Sequence, residues 1–155
     1  MATADDVAAA VVALSGPLDT LKLQKLVYYC QAWHLVWDEA PLFPEPIEAW
    51  AGGPVVRSLY NRHRGSFAVQ GWPWGDPKRL TPEESETVRV VVSAYGALSG
   101  RQLSALTHRE EPWRHARGEL GPGERGDRVI ALDDMAEYYG ALDQDENAKP
   151  IDELT

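Results

Sequence analysis

The sequence predicts a mainly α-helical domain with a minor β component: about six helices around one central apolar helix, and a small strand or hairpin near residues 47–75. Three observations carry this. The segment from Leu21 to Asp38 is apolar nearly all round a helical wheel, the pattern of a helix covered on most sides. Helix-start signals recur along the chain, the strongest being Thr81-Pro82-Glu83-Glu84. Between residues 41 and 54 and again between 65 and 77, prolines, glycines and tryptophans interrupt any helical period.

Taken in order, Thr3 followed by Asp6 predicts a capped helix start, because a side-chain oxygen there satisfies free amides and the acid suits the positive helix end. That helix runs to Leu14, stops at Ser15-Gly16-Pro17 and places Val7, Val11 and Leu14 on one stripe. Asp19 or Thr20 caps the second helix, in which Leu23, Leu26, Val27, Cys30, His34 and Trp37 share a face while Tyr29, Ala32 and Val36 lie opposite. Pro41 and Pro44 forbid its continuation. Ile47 to Ala51 reads as a short strand. Gly52-Gly53-Pro54 reads as a tight turn that opens a helix from Val55 to His63. Gly65 to Pro77 reads as a hairpin or irregular loop. Helices follow from Thr81 to Leu98, Arg101 to Leu106 and Pro112 to Arg117, with Thr107 to Glu111 as a loop between the last two. Gly118 to Gly126 reads as a flexible connector and Val129-Ile130 as a brief strand. Asp133 or Asp134 caps a last helix to Leu142. Residues 1–142 thus form one domain, and 143–155, polar and without aromatics, an acidic flexible tail.

Composition removes several function classes. A chain of 155 residues can bury a sizeable core as one domain. The formal charge of −9 disfavours non-specific binding to nucleic acid or an anionic membrane surface. The acidity is concentrated at the end: residues 127–155 carry 9 acids and 2 bases, a net −7. Cys30 is the lone cysteine, so neither an internal disulfide nor a cysteine-rich metal site can form. No apolar run reaches membrane-span length and the N-terminus lacks a basic start, so a soluble cytoplasmic protein is expected.

Candidate chemistry is sparse. Cys30 lies one turn from His34 on an apolar helix face. Reactive thiols sit near helix N-termini or cations, so core packing is the better reading. His34, His63, His108 and His115 show no metal-ligand spacing, and no metal or cofactor is expected. His108, with Glu110 and Glu111 nearby, has the makings of a general base for a small hydrolase. The competing reading, a backbone anchor beside a core-filling Trp113, is favoured because no nucleophile or acid partner accompanies it. Gly52-Gly53-Pro54 lacks the Lys and Ser/Thr of a phosphate loop and reads as a structural turn. Arg57, Arg62, His63 and Arg64 form the only basic cluster, either a solvated helix end or a contact for an acidic partner. Trp72 and Trp74 with Phe67 have two readings, packing onto the core or anchoring another protein. The expected partner-facing residues are Tyr28, Gln31, Arg57, Tyr60, Trp72 and Trp74.

The phrases Leu23-Gln24-Lys25-Leu26-Val27-Tyr28-Tyr29-Cys30-Gln31-Ala32-Trp33-His34-Leu35, Pro41-Leu42-Phe43, Ile47-Glu48-Ala49-Trp50, Gly53-Pro54-Val55-Val56, Leu106-Thr107-His108 and Pro112-Trp113, in this order, resemble the SocA-like antitoxin family. The family is also called the Panacea domain and is related to phage-associated GepA proteins. The resemblance implies a non-enzymatic antitoxin that binds and neutralises a toxin encoded beside it. One branch of the family instead delivers its toxin to an AAA+ protease as an adaptor. From the charge, the hydropathy and the lack of a ligand motif or a visible helix-turn-helix, no cofactor, no direct contact with nucleic acid and no membrane association are expected. An acidic antitoxin would also complement a basic toxin surface and gain association rate.

Overall fold

The computed structural model describes residues 1–145, within which the chain forms seven α-helices and two short antiparallel strand pairs. The mainly α expectation with minor β content therefore holds, and each of the seven helices overlaps one read from the sequence.

The first helix, α1 (Ala4–Ser15), begins as the sequence predicts. Thr3 Oγ1 accepts from the Asp6 amide at 3.2 Å and Asp6 Oδ2 accepts from the Thr3 amide at 3.0 Å, a reciprocal cap. Val7 and Val11 are fully buried, whereas Leu14, placed on the same stripe by periodicity, is exposed. The strand β1 (Leu18–Asp19) leads into α2 (Thr20–Trp37), capped by Asp19, whose Oδ1 accepts from the Lys22 amide at 2.7 Å. Every residue of α2 from Leu23 to His34 is buried. The remaining helices are α3 (Arg57–His63), α4 (Pro82–Tyr95), α5 (Gly100–His108), α6 (Glu111–Arg117) and α7 (Leu132–Gln144), and α2 packs against α1, α4, α5 and α7. It is the central helix that its all-round apolar character predicts.

Several boundaries differ from the sequence reading. Gly53 and Pro54 do not open a helix. They form the strand β3 (Gly53–Val55), which pairs with β2 (Glu48–Trp50) in the register Glu48↔Val55, Ala49↔Pro54 and Trp50↔Gly53. Proline lacks an amide to donate but tolerates an edge strand as readily as a first helical turn, so both environments fit it. Gly53 has φ +122°, and a Cβ there would lie 2.5 Å from Lys25 Cε, so only glycine fits the turn. Thr107 and His108 belong to the last turn of α5 rather than to a loop. Val129 makes one bridge to Glu48 instead of a strand. The helix α7 starts one turn before its expected cap, at an N-cap of Ala131, so Asp133 and Asp134 occupy its first turn and Asp143 its last. The remainder of the expected tail, 146–155, lies outside the described residues.

The loop after α3 packs in the manner of the first of the two readings given for its tryptophans. The strand β4 (Ala68–Val69) pairs with β1, Leu18↔Val69 and Asp19↔Ala68. The turn at 71–76 sits on the start of α1: Trp72 Nε1 donates to Asp5 Oδ1 at 3.0 Å and the Asp76 amide to Asp6 Oδ1 at 2.9 Å. The approach is so close that a Cβ on Gly75 would meet the Asp5 carbonyl oxygen at 2.1 Å. Trp72 is 5 % exposed as a result, while Phe67 and Trp74 remain open to solvent.

One side chain does not fit this pattern of satisfied groups. Ser58 Oγ, on α3, is buried without a hydrogen-bond partner among the described residues. Its burial costs free energy that alanine would not, and alanine is the better helix former. Ser58→Ala is expected to raise stability by about 1 kcal/mol in urea denaturation, and a loss of stability would show that the hydroxyl is engaged.

Candidate functional site

Three buried polar residues of α2, Gln24, Lys25 and Gln31, turn toward one neighbour, the β2–β3 hairpin with its flanks. Gln31 accepts from the Leu42 amide at 2.6 Å and donates to the Phe43 carbonyl at 2.9 Å. Gln24 treats Val56 the same way, accepting from its amide at 2.9 Å and donating to its carbonyl at 3.2 Å. Lys25 Nζ donates to the Pro54 carbonyl at 3.0 Å. From the other side, Ser104 Oγ donates to the Gly52 carbonyl at 2.6 Å, Trp113 Nε1 to Trp50 at 2.9 Å and Arg117 Nη1 to Ala49 at 3.2 Å, while His108 Nε2 lies 2.9 Å from the Ala51 carbonyl. Carbonyl after carbonyl from Ala49 to Val56 is thus met by a side chain of α2, α5 or α6. A hairpin of this length cannot satisfy its own backbone, and these side chains do it instead.

This arrangement includes His108. Its Nδ1 lies 2.6 Å from the Ser104 carbonyl, its Nε2 faces Ala51, and its ring rests on Trp113 with centroids 4.0 Å apart. Both nitrogens face backbone carbonyls, of which a neutral imidazole can donate to only one at a time, and this geometry favours the anchor reading over a general base. His108→Ala is expected to lower the melting temperature by roughly 4–8 °C, from about 2 kcal/mol of lost bonding and packing. Unchanged stability by thermal denaturation would instead reopen a chemical role. Cys30 is likewise a core residue: it is fully buried, and burial pushes its thiol well above the usual range, away from the reactive thiolate. Among the described residues no three His, Cys, Asp or Glu side chains converge as a metal site.

Deeper inside, Tyr28, Tyr29, Tyr95, Tyr139 and Trp33 form an aromatic cluster around Glu110. Tyr29 and Tyr95 stack at 4.3 Å, and Trp33 Nε1 donates to Tyr95 OH at 2.9 Å. Tyr29 OH and Tyr139 OH both donate to Glu110 Oε1, at 2.6 and 2.7 Å. Tyr139 has thereby used its proton, so Tyr28 OH donates to it across 3.0 Å. His34 Nδ1 lies 2.8 Å from Thr87 Oγ1 on α4, and Leu23, Leu26, Leu42, Phe43, Val55, Thr107 and Pro112 complete the buried frame.

The expected partner-facing residues divide accordingly. Tyr28 and Gln31 are each 1 % exposed and Trp72 is 5 % exposed, so these three serve the interior. Arg57, Tyr60 and Trp74 reach solvent and lie on one strip. Ring contacts run from Trp50 to Tyr60 (4.8 Å), His63 (5.6 Å), Trp72 (6.4 Å) and Trp74 (5.0 Å). The Arg57 guanidinium covers Trp50 at 5.2 Å and the Arg62 guanidinium covers Trp74 at 5.5 Å, so each end of the strip carries a cation on an indole face. Arg57 also bonds Glu48 twice, at 2.8 and 3.1 Å. Burial alone would raise the Glu48 carboxyl, but the hydrogen bonds from Arg57 and Trp50 outweigh it and hold it below the usual range. Burial lowers the His63 imidazole, with the nearby Lys25 charge acting in the same direction.

Next to the strip, an open cleft of about 840 Å³ separates α3 from residues 123–127. Sequence reasoning missed its far wall, because a Gly-rich connector reads as flexible. The buried guanidinium of Arg117 fixes that connector, donating to the carbonyls of Gly121 at 2.9 Å and Glu124 at 2.7 Å. An arginine at the end of a helix, just before a glycine-rich run, was the available signal.

The family model described as antitoxin SocA-like, Panacea domain, matches residues 23–114, which is more than half of the chain. The chain belongs to this family. The matched stretch holds α2, the hairpin, α3 and the motif residues that clamp the hairpin. Outside it, α1 and α7 share the Panacea core through Val7, Val11, Met135 and Tyr139. No curated protein and no solved structure matches the chain. No helix among the described residues of this Panacea protein is long and apolar enough to cross a membrane.

Proposed function

We propose that this protein is the antitoxin of a toxin–antitoxin pair and neutralises its toxin, encoded by a neighbouring gene, through direct protein–protein binding. Membership of the SocA-like antitoxin family carries the reading. The form of the molecule supports a binding mechanism. The motif residues are spent on holding a hairpin and α3 in place, and what they hold in place is a surface strip of tryptophan, tyrosine and arginine. Those residue types dominate the energetics of protein interfaces. The histidine and cysteine with the best claim to chemistry are tied into the fold.

The test is to express each open reading frame flanking the gene, alone and together with this protein. One neighbour is expected to arrest growth, co-expression to restore it, and the two proteins to purify as a complex. Absence of any toxic neighbour would overturn the reading. Restored growth with protease-dependent loss of the toxin and no stable complex would replace neutralisation by binding with delivery to an AAA+ protease.

A further inference from the structure

We propose that the cleft between α3 and residues 123–127 receives an acidic segment of the protein partner, with Arg64 and Arg125 as its recognition cations and Trp50 and Tyr60 as its apolar wall. The identity of that partner as a toxin rests on the antitoxin reading above.

The first observation is a local inversion of charge. The chain carries −9 overall, yet residues 57–64 contain three arginines and no acid. The cleft is lined by Arg57, Arg64 and Arg125 against one carboxylate, Asp127. The second is how these cations are paired. Arg57 is committed to Glu48 and lies 3.8 Å from Asp127. Arg62, beside the cleft, is committed to Asp5 at 3.2 Å. Arg64 and Arg125 are exposed and have no ion-pair partner among the described residues. An acidic protein that leaves two cations uncompensated in one concavity has an anionic ligand's complement ready there. Guanidinium groups bind carboxylates through paired, directional hydrogen bonds.

The third observation is preorganisation. Trp50 is fixed by its Nε1 bond to Glu48 (2.8 Å) and by the guanidinium on its face, and Tyr60 stands edge-on to it. The opposite wall is held by Arg117. Side chains already locked lose little entropy on binding, which leaves more of the interaction energy as affinity.

The same charges argue for a short acidic protein segment over nucleic acid. A polyanion longer than the Debye length, about 8–10 Å at physiological salt, would run out of the cleft onto a molecule with a large negative net charge. A segment of a few residues stays within the field of the arginines.

The probe is a short fluorescein-labelled peptide of alternating glutamate and leucine, followed by fluorescence anisotropy at low salt, with single-stranded oligouridine of equal charge as the comparison. The peptide is expected to bind the wild type and to lose affinity roughly tenfold or more in the Arg64→Glu/Arg125→Glu double variant, equivalent to about 1.4 kcal/mol. Its affinity is expected to stay within about twofold in Asp133→Lys/Glu137→Lys, whose changes lie on α7 away from the cleft. Both variants should stay folded, since all four side chains are exposed, with melting temperatures lower by a few degrees at most, because Arg64→Glu places an acid at the C-terminal end of α3 and Asp133→Lys a base in the first turn of α7. No peptide binding, binding indifferent to Arg64 and Arg125, or tighter arginine-dependent binding of oligouridine would each overturn the proposal. In the growth assay, rescue by the wild type but not by Arg64→Glu/Arg125→Glu supports it. Rescue by both refutes the cleft and leaves the antitoxin reading standing. Absence of any toxic neighbour refutes the antitoxin reading, while the peptide measurement still decides the chemistry of the cleft.

Discussion

Glu110→Ala is expected to be the most destabilising of the single changes considered for this protein, costing on the order of 4 kcal/mol, a large share of the stability of an ordinary domain. The reason is the position of the carboxylate. It sits at the N-terminal boundary of α6 and accepts from Tyr29 on α2 and Tyr139 on α7, both of which are fully buried. Removing the acceptor orphans two buried donors at once and leaves a void between three helices, and each term is costly. Tyr28 is affected at second hand, because it donates to Tyr139. Glu110→Gln keeps an acceptor oxygen in the same place and is expected to cost less than half as much. Adding Tyr29→Phe and Tyr139→Phe to Glu110→Ala removes the orphaned hydroxyls and should recover part of the loss, since deleting both partners of a buried bond is far less costly than deleting one. Urea denaturation of the four proteins settles the matter. If Glu110→Ala lies within about 1 kcal/mol of wild type, the network is not what joins α6 and α7 to the central helix.

The contrast between these buried groups and the sequence shows where pattern reading succeeds. The helix α4 was legible because its signal is local: Thr81 Oγ1 and Glu84 Oε1 exchange amides at 3.2 and 2.8 Å as the Thr-Pro-Glu-Glu order predicts. The central position of α2 was legible because a helix apolar on every side has nowhere else to go. Gln24, Gln31 and Tyr28 were not, because periodicity weighs a side chain's polarity and ignores what the neighbouring backbone lacks. The segment 42–56 is too short and proline-rich to pair its own amides and carbonyls, so glutamines on α2 act as a surrogate strand. The same blindness put Thr107 and His108 in a loop. Of the candidate site, Arg57, Tyr60 and Trp74 were found from residue type and clustering in sequence. Trp72 was assigned to the surface because nothing local announces that Asp5 will accept from its indole. Arg125 was missed because its wall of the cleft is created by Arg117, and the contact that fixes it is a property of the folded chain.

Lys25 leads to the second large effect, in which stability follows pH in an unusual direction. Its ammonium is 1 % exposed, burial lowers its pKa from 10.5 to about 7, and its hydrogen bond goes to the Pro54 carbonyl. Between about pH 7 and 10.5 the unfolded chain holds a proton on this amine that the folded chain has released. Stability therefore rises with pH across that window. Below pH 7 both states are protonated and the contribution rests at its lowest value. His63, depressed by burial and then by the Lys25 charge, adds a further loss on the acid side. The buried tyrosines set the upper limit. Burial raises Tyr28, Tyr29 and Tyr139 well above 10, so the stability they confer is complete below pH 10 and is lost as they are forced to ionise above it. The melting temperature is accordingly expected to climb from pH 7 to a maximum near pH 10 and then fall. At about 1.4 kcal/mol for each tenfold change in proton affinity, the Lys25 contribution is on the order of 4 kcal/mol, or roughly 8–16 °C for a chain of this size. Lys25→Met, of similar volume, leaves the Pro54 carbonyl without its donor at a cost of about 1–2 kcal/mol, yet removes the penalty of burying a charge. It is expected to melt above wild type at pH 7, below it near pH 10, and to show no rise between them. A wild type whose melting temperature is flat from pH 7 to 10, or a Lys25→Met variant that climbs as steeply as the parent, would place the origin of the pH dependence elsewhere.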